Sequence, residues 1–280
     1  MNRRTFLRNS AGAAVLGVGL SGLQTMAQAT DKKKIPIGVQ LYSVREAAEK
    51  DLAGVLKAIK AMDYDGVEFA GYYGIEAKDI RKMLDDTGLK CCGTHTGLQA
   101  LIGNENFDKT VKIHKTLGTP YIIVPGGIDE ALSTRQGNEV TAYLFNELAE
   151  KLEKLDMVLG YHAHGGDFKM IGNETAWDRF FGRTRQNVSM QMDIGNCLGG
   201  GGDPYTPISK FPGRSKTIHL KEWSDSGAPV GEGKVDWKRI FELCETVGGT
   251  EWYVVEHEVG SASDLGGIEA CIKNLRNMGK

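Results

Sequence analysis

From residue 34 onward, short apolar runs rich in β-branched residues alternate with longer stretches in which apolar residues recur at helical spacing. Leu52, Val55, Leu56 and Ile59, for example, have the spacing of a helix that packs one face against a core. The apolar runs between these stretches have the length and composition of buried strands. The pattern predicts eight strands, over residues 35–42, 66–70, 90–96, 121–125, 157–164, 188–194, 217–221 and 252–257.

The number of strand–helix units favours one closed barrel. Eight units in about 250 residues match a (β/α)8 TIM barrel. A doubly wound open sheet is the competing fold, but it usually has fewer strands and a glycine-rich turn after the first one. Here the first strand runs into SVRE at positions 43–46, and the composition does not shift after residue 34. We therefore predict an α/β protein with a single TIM barrel domain, residues 30–280.

The segment that precedes the barrel has the features of an export signal. Arg3 and Arg4 are followed by a glycine- and alanine-rich apolar stretch at 11–23 and by a small-x-small cleavage site at 27–29. The apolar stretch is shorter than the ~20 residues that span a bilayer. We predict a twin-arginine signal peptide over residues 1–29 and a periplasmic mature protein with no membrane segment. An amphipathic first helix of the domain is the alternative.

Charge and cysteine content exclude several classes of protein. The chain is 41% hydrophobic and 25% charged, as in ordinary globular proteins. Loss of the three arginines of the signal lowers Lys+Arg from 34 to 31 against 36 Asp+Glu, so the mature net charge is −5. This charge argues against nucleic acid as a partner. The five cysteines include no CxxC pair and are odd in number, which indicates neither a disulfide framework nor a zinc–thiolate site.

Candidate reactive groups cluster where the last four core strands end, and in a TIM barrel those ends form one rim. Only alternate residues of a strand face inward, so each strand offers one inward-facing set. The candidates are His162 and His164 on the fifth strand, Asp193 on the sixth, His219 and Lys221 on the seventh, and Glu256 and Glu258 on the eighth.

A mixed nitrogen–oxygen set of this kind suits Mn²⁺, Co²⁺, Zn²⁺ or Fe²⁺ better than Mg²⁺. We predict one divalent ion as the cofactor. The competing interpretation of each residue is a polar rim side chain satisfied by hydrogen bonds. Whether His162 or His164 faces inward stays open, because a one-residue bulge would exchange them.

Seven motifs spread over the chain resemble the xylose isomerase-like barrels, the sugar phosphate isomerase/epimerase superfamily that includes ketose 3-epimerases and inosose dehydratases. They are GVQLYSVRE, GVEFAGYYG, GYHAHGGDF, MDIGN, HLKEW, VGEGKVDW and VVEHE. In that family a Glu, an Asp, a His and a second Glu from strands five to eight bind one divalent metal. The resemblance implies that the metal ligands here are His162, Asp193, His219 and Glu256.

The sequence departs from the family pattern at three points. His162 replaces the first of two opposed glutamates that move protons in the epimerases. Asn196 stands where a substrate-binding histidine is common, and no arginine follows HLKEW. These differences argue against a symmetrical two-carboxylate mechanism and against a phosphorylated substrate.

The chemistry expected of such a site is removal of a proton from a carbon next to a carbonyl, which leaves an enediolate whose charge a divalent ion stabilises. We expect Glu256 to be the general base, with His164 as the second choice. Lys221 is predicted to donate a proton or neutralise an oxyanion, unless it only pairs with Glu222.

Substrate contacts are expected from polar or aromatic side chains near the ends of other strands and in rim loops. For His95 a structural hydrogen bond is the alternative, and for Glu232 a plain turn. The predicted substrate-binding residues are Gln40, Tyr42, Glu68, His95, Asn196, Trp223 and Glu232.

Together these features predict an exported, metal-dependent carbohydrate isomerase or epimerase with a small-molecule sugar substrate. A lyase that performs 1,2-elimination on a 3-keto-glycoside is the first alternative, because one base, one metal and one acid suffice for it. A non-catalytic sugar-binding protein is the second. A metal-dependent apurinic endonuclease is opposed by the net charge of −5. The sequence leaves open whether the protein is a homo-oligomer.

Overall fold

The computed structural model describes residues 34–259 and 265–280, and the predicted signal peptide at 1–29 lies outside the described residues. Eight parallel strands form the main sheet, and two short antiparallel strands form a hairpin beside it. The strands are β1 Ile37–Gln40, β2 Gly66–Phe69, β3 Lys90–His95, β4 Tyr121–Val124, β5 Val158–His162, β6 Met170–Ile171, β7 Glu174–Thr175, β8 Ser189–Gln191, β9 Thr217–Leu220 and β10 Trp252–Val255.

The order of the main sheet is β8-β5-β4-β3-β2-β1-β10-β9. Its two edges, β8 and β9, approach each other through a parallel bridge between Asp193 and His219. The nearly closed sheet with helices around it is a (β/α)8 TIM barrel, which confirms the predicted fold class. The bridge lies just beyond the end of β8, so closure of the barrel itself brings Asp193 beside His219.

Helices cover the outside of the sheet. The predicted helical face of Leu52, Val55, Leu56 and Ile59 is buried in the core as expected. The helices are α1 Arg45–Ala61, α2 Ala77–Thr87, α3 Asn104–Leu117, α4 Asp129–Leu132, α5 Arg135–Glu153, α6 Ala176–Phe181, α7 Ile194–Gly199, α8 Tyr205–Lys210, α9 Trp237–Leu243 and α10 Gly266–Asn277.

The first strand ends earlier than predicted. Residues 41–44 form a short 3₁₀ turn, in which the side chain of Gln40 accepts a hydrogen bond from the backbone N–H of Tyr42. A side-chain acceptor at this point competes with strand pairing and so starts the turn. As a result Gln40 stays inside the barrel, whereas Tyr42 is 43% exposed at the rim.

A layer of polar side chains lies buried inside the barrel. Gln40, Glu68, Gln191, Thr217 and His219 all have 0% exposure. Buried polar groups require hydrogen-bond partners, so this layer has to form its own network. All five cysteines are free and buried, as expected. Within the described ranges no helix is long and apolar enough to span a membrane.

Candidate metal centre and active-site cavity

A cavity of about 390 Å³ opens at the carboxyl end of the barrel. This is the end at which TIM barrel enzymes carry their active sites. Six of its nine lining residues are predicted site residues. The lining residues are Tyr42, Ala70, His95, Pro125, His162, His164, Asn196, Glu256 and Glu258.

Four buried side chains at the base of this cavity have the composition of a metal site. One ligand atom from each of His162, Asp193, His219 and Glu256 lies within 4.8 Å of the others. Imidazole nitrogens and carboxylate oxygens are the donors that divalent transition-metal ions take in proteins, and here they converge within reach of one ion. The structure therefore brings together the four residues predicted as metal ligands.

Two atoms of this group have no hydrogen-bond partner although they are buried, namely Asp193 Oδ2 and His219 Nδ1. His219 Nε2–H donates to Glu68 Oε2 at 2.6 Å, so in the neutral ring that can bind a metal the lone pair is on Nδ1. That nitrogen lies 2.7 Å from Glu256 Oε2 and 3.7 Å from Asp193 Oδ2. Two carboxylate oxygens around this nitrogen require a positive charge between them, either a proton on Nδ1 or a bound cation. The residues present therefore fit a divalent ion.

The electrostatic surroundings differ between the two buried imidazoles. Burial tends to lower the pKa of His219, but Glu68 and Glu256 outweigh it and raise this pKa well above its usual value. Burial and the neighbouring imidazoles of His219 and His95 lower the pKa of His162 well below its usual value. His162 is thus neutral, as a metal ligand must be, and carboxylates concentrate negative potential around His219.

His162 and His164 occupy different places. His162 Nδ1–H donates to Gln191 Oε1 at 3.0 Å, and the ring belongs to the four-residue group. His164 follows the end of β5 and lines the cavity, where its buried Nδ1 has no hydrogen-bond partner. The structure thus places His162 among the candidate ligands and leaves His164 free to contact a substrate.

Glu68 lies beneath the cavity instead of in its wall. Its Oε2 accepts from Gln40 at 2.8 Å and from His219, and its Oε1 accepts from Gln191 at 2.9 Å. Burial tends to raise the pKa of Glu68, but His95 and His219 hold it well below its usual range. The structure therefore places Gln40 and Glu68, both predicted to contact substrate, behind the candidate ligands as their support.

Space for the Glu68 carboxylate comes from an irregularity of the sheet. The register between β2 and β3 shifts at Glu68, which then pairs with Gly93. A Cβ atom on Gly93 would lie 2.6 Å from Glu68 Oε1, so only glycine leaves room there. His95 follows on the same strand and lies 3.2 Å from Glu68 Oε2 through its Nε2.

Lys221 pairs with two carboxylates of the neighbouring strand end. Its Nζ donates to Glu256 Oε1 at 3.3 Å and also to Glu258. Burial tends to lower the pKa of Lys221, but Asp193, Glu256 and Glu258 raise it. Burial tends to raise the pKa of Glu256, but His219 and Lys221 outweigh it and hold this pKa well below its usual value. The pair is therefore an ammonium beside a carboxylate.

The predicted pairing of Lys221 with Glu222 is not formed. Glu222 instead accepts from the backbone N–H groups of Gly231 and Val235 and from the indole of Trp237. A carboxylate that satisfies several donors of one loop holds that loop in place. Glu222 is thus a structural residue of the loop that follows β9.

Of the three remaining residues predicted to contact substrate, one lines the cavity and two do not. Asn196 lines it, and its backbone N–H donates to Asp193 Oδ1 at 2.7 Å. Trp223 is 37% exposed and does not line the cavity, and the Lys234 ammonium lies 5.1 Å from its ring centroid. Glu232 accepts from Asn274 of α10 at 2.8 Å and is also absent from the cavity wall.

Sequence reasoning did not select two residues that hold the site together, Gln191 and Thr217. Gln191 makes hydrogen bonds to His95, His162, Glu68 and Thr217. The sequence contains one signal for them, which is their spacing from predicted ligands. Gln191 lies two residues before Asp193, and Thr217 lies two residues before His219. Residues at that spacing share one face of a strand.

Comparisons with known proteins agree with this architecture. The family model described as "Xylose isomerase-like TIM barrel" matches residues 56–278. Inosose dehydratase of Lacticaseibacillus casei is 23% identical over 236 residues, which cover 70% of this chain and 78% of the relative. A sugar phosphate isomerase/epimerase of Parabacteroides distasonis has a TM-score of 0.75 at 25% identity, covering 87% of this chain and 98% of its own. The IOLI protein, crystallised with a zinc atom, has a TM-score of 0.63 at 13% identity, covering 88% and 96%.

Proposed function

Because the chain belongs to the xylose isomerase-like TIM barrel family, we propose that it is a divalent-metal-dependent carbohydrate isomerase or epimerase that removes a proton next to a sugar carbonyl. One observation carries the proposal. Four buried ligand candidates, two of them with unpartnered atoms, meet at the base of a cavity that also holds acid–base side chains. The named activities of the relatives, a dehydratase and an isomerase/epimerase, support the same class of chemistry.

His162, Asp193, His219 and Glu256 are the residues that would hold the ion. A divalent ion bound there would stabilise the negative charge that develops on the substrate oxygens. The zinc atom of the IOLI protein supports this assignment. The donor set favours Mn²⁺, Co²⁺, Zn²⁺ or Fe²⁺ over Mg²⁺.

Proton transfer is assigned to side chains of the cavity wall. Glu256 is deprotonated and can accept a proton, although its oxygens already contact His219 and Lys221. His164 lies in the same wall with an unpartnered Nδ1, so it can accept or return a proton without first losing another contact. The Lys221 ammonium contacts Glu256 and would neutralise a developing oxyanion there or supply a proton to it.

A neutral sugar fits the charges of the site. No lysine or arginine is among the residues that line the cavity in the described part of the chain. The nearby Lys221 is already paired with two carboxylates. A phosphate group would meet acidic side chains without a free cation to bind it.

The asymmetry of the site favours 1,2-elimination from a 3-keto-glycoside as the second candidate function. The carboxylates Glu256 and Glu258 and the Lys221 ammonium lie together after β9 and β10, whereas β5 and the residues after it contribute imidazoles. One base and one acid suffice for elimination, and such a reaction needs no second carboxylate. The similarity to a dehydratase supports this alternative.

Proton NMR in D₂O on the metal-loaded mature protein tests the proposal, with free ketoses and 3-keto-glucosides as substrates and EDTA as control. Deuterium uptake with an intact carbon skeleton, abolished by EDTA, is the expected result. Release of the aglycone with an unsaturated keto product would instead show that the protein is a lyase. Tight sugar binding without either reaction would identify a binding protein.

Export to the periplasm is part of the proposal and rests on residues 1–29. Fractionation of cells that express the full chain is expected to find the mature protein in the periplasm. Replacement of Arg3 and Arg4 by lysine is expected to retain it in the cytoplasm. The same distribution for both chains would contradict export by the twin-arginine route.

A further inference from the structure

We propose that Gln191 is a positioning residue that decides which imidazole nitrogen of His162 faces the metal centre. Gln191 ends β8, two residues before Asp193, and is fully buried. It does not line the cavity, and its hydrogen bonds to His95 and His162 connect it to the cavity wall. The proposal rests on the metal centre described above, but its first measurement is made on the metal-free protein.

The orientation of the Gln191 carboxamide follows from its neighbours on one side. Its Nε2 lies 2.9 Å from Glu68 Oε1 and 2.9 Å from Thr217 Oγ1. The carboxylate of Glu68 accepts hydrogen bonds and cannot donate one. The NH₂ group must therefore face Glu68, and the carbonyl oxygen must face the opposite side.

On that opposite side the carbonyl oxygen meets two imidazoles. Gln191 Oε1 lies 2.9 Å from His95 Nε2 and 3.0 Å from His162 Nδ1. A carbonyl oxygen only accepts, so both nitrogens carry the hydrogen. In a neutral imidazole the lone pair is then on the other nitrogen, which for His162 is Nε2.

The same network gives His219 the opposite arrangement. Its Nε2–H donates to Glu68 Oε2, so in the neutral ring that binds a metal the lone pair is on Nδ1. Glu68 therefore selects the ligand nitrogen of His219, and Gln191, which Glu68 orients, selects that of His162. Without the Gln191 acceptor, the proton on His162 Nδ1 would be buried without a partner. The ring would then favour the tautomer with the proton on Nε2, which cannot bind a metal there.

Two-bond proton–nitrogen correlation spectra of the metal-free protein with ¹⁵N-labelled histidine report these tautomers at mildly alkaline pH. The chain has six histidines, few enough to assign with single substitutions. The variant Gln191→Met keeps the side-chain length and removes the acceptor. The matched control Thr217→Val removes one partner of the Gln191 NH₂ group and leaves both histidine contacts. Affinity for Zn²⁺ and Co²⁺ is measured in parallel by competition with a chromogenic chelator.

We expect the Nδ1–H tautomer of His162 in the wild type and in Thr217→Val. In Gln191→Met we expect this tautomer to be lost, and metal binding to be about 10–100-fold weaker in this variant alone. The wild-type spectrum tests the proposal even if a variant does not fold, because an Nε2–H tautomer of His162 in the wild type would overturn it. Unchanged tautomer and metal affinity in a folded Gln191→Met protein would overturn it too. If no divalent ion binds the wild type, the metal centre fails, while the spectra still decide what Gln191 does to His162.

Discussion

The substitution Glu68→Gln tests the buried network most directly, because it changes one oxygen into an NH₂ group without changing the shape of the side chain. Both oxygens of Glu68 accept hydrogen bonds, Oε1 from Gln191 and Oε2 from Gln40 and His219. A carboxamide has one acceptor oxygen, so its NH₂ group must face a donor in either orientation. If the Gln191 amide rotated to offer its oxygen to this NH₂ group, its own NH₂ group would face the Nδ1–H of His162 instead, again donor against donor.

The cost can be worked out from these contacts. Loss of a hydrogen bond to a charged acceptor costs about 1.5–3 kcal/mol, and a donor left buried without a partner costs about 1–3 kcal/mol more. We therefore expect Glu68→Gln to lower the free energy of unfolding of the metal-free protein by about 3–5 kcal/mol, the range found when one member of a buried ion pair is removed. Metal affinity should fall about 10–100-fold, because either His219 or, through the Gln191 amide, His162 loses the acceptor that directs its ligand nitrogen.

Urea unfolding of the metal-free protein measures the first effect, and chelator competition measures the second. The control Glu150→Gln makes the same chemical change on a partly exposed carboxylate, which pairs with Arg185 at 3.0 Å and Lys154 at 3.3 Å. Its expected cost is below about 1 kcal/mol. If Glu68→Gln were no more destabilising than this control, the carboxylate would not organise the interior in the way described.

Three further predictions concern the metal centre, a buried histidine outside it and a contact between two loops. His219→Ala should abolish stoichiometric metal content and turnover while circular dichroism shows a retained fold; retained sugar turnover without metal would contradict the metal centre. Burial lowers the pKa of His114 from 6.5 to about 4, so the unfolded state takes up its proton first as the pH falls. Stability should therefore drop by up to about 3 kcal/mol between pH 6.5 and 4, and a His114→Gln variant measured by urea unfolding should lack this contribution. A Cβ on Gly200 would lie 2.3 Å from the backbone oxygen of Gly165. Gly200→Ala should cost about 1–3 kcal/mol in thermal unfolding, and an unchanged midpoint would show that the two loops separate freely.

Much of the fold could be predicted because its signals are local. Strand and helix periods depend on neighbouring residues, and all eight predicted core strands are present. The reactive side chains at the ends of the last four strands could be located for the same reason, since parallel strands of a barrel end at one rim. The placement of Gln40 and Tyr42 was harder, because a single side-chain hydrogen bond ends β1 early and sends the two residues in different directions.

The sequence by itself determined the barrel and the kinds of atoms at its rim, because the residue period and the side-chain chemistry are properties of the chain. Only the tertiary structure decided which of these atoms meet. The Asp193–His219 bridge, the register shift at Glu68 and the contacts of Gln191 depend on how the barrel closes and how neighbouring strands are staggered. Stagger is a relation between strands far apart in the chain. No local pattern encodes this stagger. It decides which polar residues line the cavity and which lie behind the candidate ligands and support them.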